Sequence, residues 1–330
     1  MIPSELFVTL IYISLGAGIA FAFLSERVRA ILWAPVATAA ITLGLTIPLA
    51  WRLVTDGAYT LFNQALLIDA LSLYHVFLVG ITFSAIYATG YFAKRIENGT
   101  APLGYMKRYI ILWQTFHAIL LLVLLSNNIG MMWIAIEATT LVSAFLIVSD
   151  SDSLSIEAMW KYLLICSVGI VFAFMGTILT VVAARAIPVR DSSFLFSRLH
   201  AHAALMDPKI MLFAFIFLVV GFGTKAGLAP MHTWLPDAHS QSPTPVSAVF
   251  SGVMLNCAVF CILRYLPLTD NAPGNAGQAE SPPMAIRDRL HRLRRSCDRW
   301  PSRRHRLSAL PERPTAPLAA RWSGKSSLDN

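Results

Sequence analysis

Apolar residues are gathered into long runs along this chain, and each run has the length that a membrane-crossing helix needs, about 20 residues. The runs lie at 5–23, 31–50, 70–91, 109–126, 129–148, 160–182, 210–235 and 244–265. The connections are short apart from 51–69, 92–108 and 183–209, which leaves no room for a soluble domain. The pattern predicts an all-α polytopic membrane protein with about eight transmembrane helices.

One apolar run is interrupted. The stretch from Gly221 to Ser251 reads GFGTKAGLAPMHTWLPDAHSQSPTPVSAVFS. It places Lys225 in an apolar helix, then Pro230, and then Pro243 and Pro245 before the next run. Broken helices at membrane depth are tolerated only where the freed backbone is buried in protein or lines a cavity. The stretch therefore predicts a broken seventh helix beside an ion path.

Composition supports a membrane protein and changes the meaning of the charge. Only 13% of the residues are charged, against about 25% in soluble domains. The net charge is +8, but residues 271–330 hold 12 of the 26 Lys and Arg and 5 of the 18 Asp and Glu, so they carry +7. The basicity thus belongs to the C-terminal segment, and nothing in the main body indicates nucleic-acid binding.

The segment 267–330 breaks with the apolar pattern and is rich in Arg, Pro and Ser. Its composition predicts a disordered basic tail. Two interpretations stay open: a native tail that binds anionic lipid, or a sequence translated out of frame after a truncation. The bias towards Arg, Pro and Ser favours the second interpretation.

Basic residues in the loops predict the orientation, because cytoplasmic loops are enriched in Lys and Arg. The loops that follow the first and third spans are the basic ones, which places the N-terminus outside. Loop 183–209 opposes this orientation with four basic residues. The N-terminal sequence MIPSELFVTL has no positive segment before its apolar part, so we interpret it as the start of an uncleaved span.

Charged residues inside the spans are the candidate functional residues, because a charge in hydrocarbon is costly without a partner or water. Lys225 is predicted at mid-depth in the seventh span, where a lysine without water can release its proton. Glu137 lies near the middle of the fifth span. It belongs either to a proton relay or to a neutral structural contact with Thr139 or Thr140. We expect Glu137 and Lys225 to approach each other, directly or through water.

The other candidates have two interpretations each. Lys161, near the start of the sixth span, could pass protons or extend to the interface. His117 shares a helix face with Gln114 and could be a relay or a packed side chain. The residues His232, His239 and Asp237 flank the break, where they could shuttle protons or cap free carbonyls. Ser251 and Asn256 are more typical of helix–helix hydrogen bonds.

The four cysteines do not indicate a bound group. Cys166, Cys257, Cys261 and Cys297 include no C-x-x-C pair, so the sequence predicts no disulfide framework and no metal or iron–sulfur site. We expect no cofactor and no redox centre in this chain.

Several motifs together resemble the antiporter-like membrane subunits of respiratory complex I, the Mrp cation/proton antiporters and the group 4 hydrogenases. They are GTKAGLAP, MHTWLPDAH, PTPVSA, the surroundings of Glu137, and IDALSLYHVFL beside Asp69, and they cover most of residues 60–265. Ser251-Gly-Val is more similar to the hydrogenase-4 component F branch, since complex I relatives often have a histidine at that position.

The resemblance implies a division of the chain. Members of the family usually have about fourteen spans, with spans four to eight repeated, inverted, as nine to thirteen. Residues 1–108 would be the first three helices and 109–266 one antiporter-like repeat. The second repeat has no counterpart here, so the chain resembles a truncated member, and a complete path across the membrane is in question.

The resemblance also implies roles. Glu137 matches the acid of the fifth span, Lys225 the lysine of the broken seventh span, and Lys161 the basic residue near the start of the sixth. In the family these residues form a half-channel for protons, and a redox reaction elsewhere in the complex supplies the energy. The resemblance thus implies a subunit of a redox-driven ion translocase, with no redox centre in this chain.

The predicted function is that of a truncated proton-translocating subunit of a complex of the hydrogenase-4, formate hydrogenlyase or NADH-quinone oxidoreductase type. Its partners would be other membrane-arm subunits, a peripheral redox module, lipid and protons, in a bacterial inner membrane. Two alternatives stay open: an Mrp-type Na⁺/H⁺ antiporter module and a truncated fragment that conducts nothing.

Overall fold

The computed structural model describes residues 3–84, 86–99, 102–148, 152–187 and 194–270. The predicted tail lies outside these residues from Asn271 onward. The tail was predicted to begin at Pro267. The last helix instead continues to Asp270, with Pro267 inside its final turn.

The described part is built almost entirely from helices, with one short hairpin. The helices are α1 (Ser4–Leu24), α2 (Val28–Ile31), α3 (Trp33–Asp56), α4 (Ala70–Phe83), α5 (Ile86–Glu97), α6 (Leu103–Leu125), α7 (Ile129–Ile147), α8 (Ser153–Ala183), α9 (Phe196–Ala201), α10 (Pro208–Lys225), α11 (Trp234–Gln241), α12 (Thr244–Val249) and α13 (Leu255–Asp270). A π-helical turn, Phe250–Met254, joins α12 to α13. The hairpin pairs β1 (Tyr59–Leu61) with β2 (Leu66–Ile68) in antiparallel register.

Among the described residues, seven helical segments are long and apolar enough to cross a membrane. They are Ser4–Leu24, Arg29–Asp56, Leu103–Leu125, Ile129–Ile147, Ser153–Ala183, Pro208–Lys225 and Thr244–Asp270. The chain is therefore a multi-pass membrane protein, and the predicted all-α membrane bundle is confirmed.

The predicted third span, 70–91, is two helices instead of one. Its apolar part, α4, has 14 residues and ends where Ser84 bonds to the carbonyl of Ile81 through both its backbone N–H and its hydroxyl. A serine that bonds backbone carbonyls competes with the helix for them. The more polar α5 then brings the chain to the end of the bundle where α6 starts, since Lys107 of α6 donates to the carbonyl of Phe23 at the end of α1.

The hairpin closes the opposite end of the bundle. Asn127, between α6 and α7, is buried and donates from Nδ2 to the carbonyl of Gln64 (2.8 Å) and to Ser197 Oγ (2.9 Å). Its Oδ1 accepts the backbone N–H of Ser197 at 3.0 Å. One amide thus joins the hairpin turn to the segment before α10.

The helices α8 and α10 pack unusually closely, because glycines line the contact. A Cβ built on Gly221 would lie 2.3 Å from the backbone nitrogen and 2.7 Å from the Cα of Ala173. Gly169 likewise accommodates the side chain of Thr224. Close approach through small residues is a general device of membrane helix packing. It holds the end of α10 against α8.

We expect Gly221→Ala to destabilise the protein strongly, because the added methyl meets backbone atoms that cannot rotate away. Overpacking of this kind costs about 1–3 kcal/mol. Thermal unfolding in detergent should show a clearly lower Tm for Gly221→Ala than for Gly16→Ala, whose added Cβ meets nothing within 4 Å. Equal Tm values for the two variants would contradict this account of the contact.

A buried ion pair joins α13 to the start of α4. Arg264 is 3% exposed and donates to the Asp69 carboxylate and to Ser72 Oγ. Its guanidinium also lies over the rings of Phe196 and Phe260, 4.8 and 4.9 Å from their centroids. Asp69 in turn accepts the N–H of Ser72 and so caps α4. The pair fixes the hairpin end of the last span.

Candidate functional site

The interruption of the seventh span begins earlier than the sequence predicted. We expected a helix to 235 that is broken at Pro230, but α10 ends at Lys225. Gly227 has a φ of +71°, and the N–H of Leu228 bonds to the carbonyl of Gly223 at 2.9 Å. A left-handed glycine with this bond is a common way to end a helix. Lys225 is therefore the last residue of its helix and does not lie in mid-span.

The carbonyl of Thr224 at this helix end, which accepts the N–H of Gly227 at 3.2 Å, has a second partner. The indole Nε1 of Trp234, the first residue of α11, donates to the carbonyl of Thr224 at 3.0 Å. Pro230 lies in the connection between α10 and α11. Pro243 and Pro245 do not break a helix, because they stand immediately before and just inside the first turn of α12. The position before the first turn and the turn itself suit proline, which lacks a backbone donor.

The Lys225 side chain is enclosed in the bundle. It is 2% exposed, and its ammonium donates to Thr140 Oγ1 of α7 at 2.8 Å and to the Tyr162 hydroxyl of α8 at 2.5 Å. The nitrogen also lies 4.8 Å from the centroid of the Tyr162 ring. Three helices thus meet at one amine.

Glu137 belongs to the same network and reaches Lys225 through a hydroxyl. Thr140 Oγ1 donates to Glu137 Oε2 at 3.3 Å, and Ser167 Oγ donates to Oε1 at 3.1 Å. Both Lys225 and Glu137 therefore contact Thr140, and the structure brings them together as expected, with Thr140 between them. Thr139, the other threonine considered from the sequence, instead donates to the carbonyl of Ile136.

Tyr162 is the partner that sequence reasoning missed. Its hydroxyl lies 2.6 Å from Ser143 Oγ and donates to the sulfur of Met254 at 3.6 Å. Its ring packs on Trp234, with centroids 4.9 Å apart. A hydroxyl inside a predicted span was the available signal, since such a group needs a hydrogen-bond partner on another helix.

Lys161 points away from this network. The helix α8 starts at Ser153, seven residues before the predicted start, so Lys161 lies in its third turn. Its ammonium pairs with Glu157 (2.8 Å) and with Asp237 of α11 (2.9 Å), and its side chain is 48% exposed. The structure thus joins two of the predicted residues, Lys161 and Asp237, to each other and not to Lys225.

The predicted histidines occupy three different settings. His239 Nδ1 lies 2.8 Å from Ser247 Oγ, and its ring packs edge-on against Phe250. His232 is exposed in the connection before α11. His117 is fully buried in α6 and stacks on Phe83 with centroids 4.4 Å apart. None of the three contacts Lys225 in the part of the chain that the structure describes.

The chemistry of the Lys225 network suits a group that gains and loses a proton. A charged lysine offers three donors and no acceptor, whereas a hydroxyl can both donate and accept. Thr140 and Tyr162 can therefore accept from the ammonium, and either can rotate its hydrogen to donate to the neutral amine. Both states of Lys225 therefore keep hydrogen bonds to Thr140 and Tyr162.

Comparison with protein families identifies this domain. Residues 126–279 match the family described as NADH:quinone oxidoreductase/Mrp antiporter, transmembrane. The domain formed by residues 126–279 belongs to this family. The match includes α7, α8 and α10 to α13, and with them every contact of Lys225 described above.

Two relatives resemble the chain over about three fifths of its length. It is 38% identical over 211 residues to the hydrogenase-4 component F homolog of Methylacidiphilum infernorum, an alignment that covers 63% of this chain and 44% of the relative. It is 28% identical over 204 residues to hydrogenase-4 component B of Escherichia coli K12, covering 61% of this chain and 28% of the relative. The chain therefore spans less than half the length of these relatives.

A solved structure shares the fold. A chain of the membrane-bound sulfane sulfur reductase, an archaeal respiratory membrane complex, superposes with a TM-score of 0.68 at 15% identity. The superposition covers 84% of this chain and 55% of the other. At this identity the likeness shows the fold alone.

Proposed function

We propose that this chain carries protons within a redox-driven membrane complex of the hydrogenase-4 or complex I type, with Lys225 as the reversible carrier. One observation carries the proposal: a lysine that is 2% exposed bonds to two hydroxyls instead of forming a direct ion pair. A buried lysine without a paired carboxylate is held in place by groups that serve both of its protonation states. An amine that served only to anchor helices would be expected to have a direct acidic partner.

Glu137 and Thr140 take supporting roles in this proposal. The Glu137 carboxylate stabilises the charged form of Lys225 from the far side of Thr140, and so favours proton uptake. The Lys161–Asp237 pair, which joins α8 to the helix that follows the break, would attract protons towards α11. The electrons, and any redox centre, would belong to partner subunits, since the sequence predicts no cofactor site in this chain.

The proposed setting is the inner membrane of a bacterium with the N-terminus outside. At one end of the bundle, where α1 and α5 end and α6 starts, lie the basic residues Arg27, Arg29, Lys94, Arg95, Lys107 and Arg108. Fewer basic residues are described at the hairpin end, namely Arg52, Arg185, Arg198, Lys209 and the buried, paired Arg264. The excess supports a cytoplasmic position for the first end.

The test is proton uptake by inverted membrane vesicles from cells that express the chain with its partner subunits. Addition of the electron donor should acidify the vesicle interior when the chain is present, and deletion of its gene should abolish this signal while the electron donor is still oxidised. Replacement of Na⁺ by choline should leave the signal unchanged. Loss of the signal without Na⁺ would favour an Mrp-type antiporter, and an unchanged signal after deletion would refute the proposal.

We expect Thr140→Val to slow proton uptake by at least about tenfold, because it removes the only described group that links Lys225 to Glu137 and one of the two described hydrogen-bond acceptors of the ammonium. An unsatisfied buried donor costs about 1–3 kcal/mol, and 1.4 kcal/mol corresponds to a factor of ten. Thr140→Ser keeps the hydroxyl and should retain most of the rate. Equal rates in the two variants would remove Thr140 from the path.

A further inference from the structure

A groove between α6 and α7 opens at the basic end of the bundle and encloses about 510 Å³. Its walls are mostly apolar and include Ile111 and Leu112 of α6 and Phe145 and Val148 at the end of α7, with Arg108 of α6 beside them. Ligand pockets in proteins have volumes of about 300–1,000 Å³. The α6–α7 groove is therefore large enough for a ligand that is mainly apolar and has one anionic part.

The groove continues into an exposed apolar face of α7. Phe145 is 63% exposed, and Leu141 and Ile134, on the same face, are each 52% exposed. The helix rises about 16 Å from Ile134 to Phe145. This is close to the depth of one leaflet, which is half of a hydrocarbon core about 30 Å thick. An apolar chain that enters beside Arg108 can thus follow α7 towards the middle of the membrane.

The basic end of the groove carries a cation that the described residues do not neutralise. Arg108 is exposed, and its guanidinium forms no ion pair with a carboxylate of the described ranges. A second cation lies nearby: Arg95 donates to the hydroxyl of Tyr105 at 3.3 Å, and its guanidinium lies 5.0 Å from the centroid of that ring. Tyr105 is part of the groove wall. The groove is thus apolar along its length and positively charged at this end.

This combination fits an anionic phospholipid better than a protein partner. A guanidinium binds a phosphate group through two parallel hydrogen bonds, and basic pockets between transmembrane helices bind anionic lipid head groups. The long arginine side chain can extend to the head-group level while its stem stays against apolar surface. A transmembrane helix is about 10–12 Å across, so a space of this volume would hold only about one of its turns. A single acyl chain is narrow enough to enter.

We propose that the α6–α7 groove binds one anionic phospholipid, with its phosphate on Arg108 and one acyl chain against Ile111, Leu112 and Phe145. The lipid comes from the leaflet at the basic end of the bundle. The site includes no residue of the Lys225 network. The inference goes beyond the proposed function, because the lipid can bind whether or not the chain carries protons.

Native mass spectrometry of the purified chain in detergent tests the head-group preference. The chain is titrated with phosphatidylglycerol and, separately, with phosphatidylcholine of the same acyl chains. We expect the first phosphatidylglycerol to bind at least about tenfold more tightly than the first phosphatidylcholine. An excess of inorganic phosphate should leave the lipid bound. Equal affinities for the two lipids would overturn the proposal, and displacement by inorganic phosphate would show a site for a free anion instead.

Two pairs of variants test the two parts of the site. Arg108→Gln should weaken phosphatidylglycerol binding by at least about tenfold. Arg29→Gln removes an exposed charge at the same end of the bundle but outside the groove, and it should weaken binding by less than about twofold. Phe145→Ala should weaken binding by at least about threefold. Phe213→Ala should leave it unchanged, because Phe213 is 62% exposed on α10, outside the groove.

Photo-crosslinking locates the lipid independently of the variants. Phosphatidylglycerol with a diazirine on one acyl chain, in nanodiscs that hold the chain, should label residues 108–112 of α6 and 141–148 at the end of α7. The label at these positions should fall by at least about fivefold in Arg108→Gln and stay unchanged in Arg29→Gln. Equal effects of the two arginine variants would show a general attraction of the basic end for anionic lipid. That result, or a label spread evenly over all exposed helices, would overturn the proposal.

Discussion

Lys225→Arg and Lys225→Met should each abolish proton uptake in vesicles, to below about 1% of the unsubstituted rate. Arginine keeps the charge but does not release its proton at accessible pH, and its planar fork does not fit between Thr140 and Tyr162 in the geometry of an ammonium. Methionine keeps much of the volume of lysine but cannot bind a proton. A proton carrier must both bind and release a proton, so the two substitutions fail for opposite reasons.

The measurement is the initial rate of proton uptake in vesicles that hold equal amounts of assembled complex, together with the rate of electron-donor oxidation. Lys209→Arg and Lys209→Met are matched controls, because Lys209 is exposed at the other end of α10. A lysine that only anchors helices would tolerate arginine far better than methionine. Uptake retained in Lys225→Arg would therefore assign Lys225 to structure.

The second large effect concerns the buried pair of Arg264 and Asp69. We expect Arg264→Met to reduce stability by about 3–5 kcal/mol, because removal of one partner leaves the other charge without compensation. The substitution also removes the cation–π contacts of the guanidinium with the rings of Phe196 and Phe260. Thermal unfolding in detergent should show a large decrease in Tm, and Asp69→Asn should show a decrease of the same sign.

Two comparisons distinguish the loss of the Arg264–Asp69 ion pair from a general effect of removing an arginine. Arg52→Met removes an arginine from the Arg52–Asp56 pair, in which the side chains are 39% and 49% exposed, and exposed pairs contribute only about 0–1 kcal/mol. The double variant Arg264→Met with Asp69→Asn should lose less than the sum of the single losses, because neither charge is then left alone. Additive losses would show that the two residues act independently.

The large features of this fold were predictable because the membrane leaves few solutions. Backbone groups in lipid are satisfied within helices, so most apolar runs of about 20 residues became helices, although α8 starts earlier and α10 ends earlier than predicted. Lys225 and Glu137 were identifiable for the same reason, since a charge inside a span is costly and needs a role. The run at 70–91 deviated, because Ser84 ends α4 in mid-run.

Apart from the approach of Glu137 to Lys225, contacts between helices were the part that the sequence did not predict. Tyr162 lies 63 residues from Lys225, and only the glycine-lined contact of α8 with α10 brings them together. Gly227 could have indicated the early end of α10, but the apolar residues beyond it suggested continuation. Arg264 lies in the apolar run CILRYLP and could have been singled out as a charge that needs a partner.

The two sides of the interrupted span are held by neighbouring residues of one continuous helix. Tyr162 binds Lys225 at the end of α10, and the preceding residue, Lys161, binds Asp237 in α11. The helix α8 therefore fixes the distance between the end of α10 and α11. It does so through two contacts, the exposed Lys161–Asp237 ion pair and the buried hydrogen bond between Tyr162 and Lys225. Any widening of the gap must release one of them. If the Lys161–Asp237 ion pair opens first, α11 can move while the Lys225 ammonium keeps its hydrogen bonds to Thr140 and Tyr162.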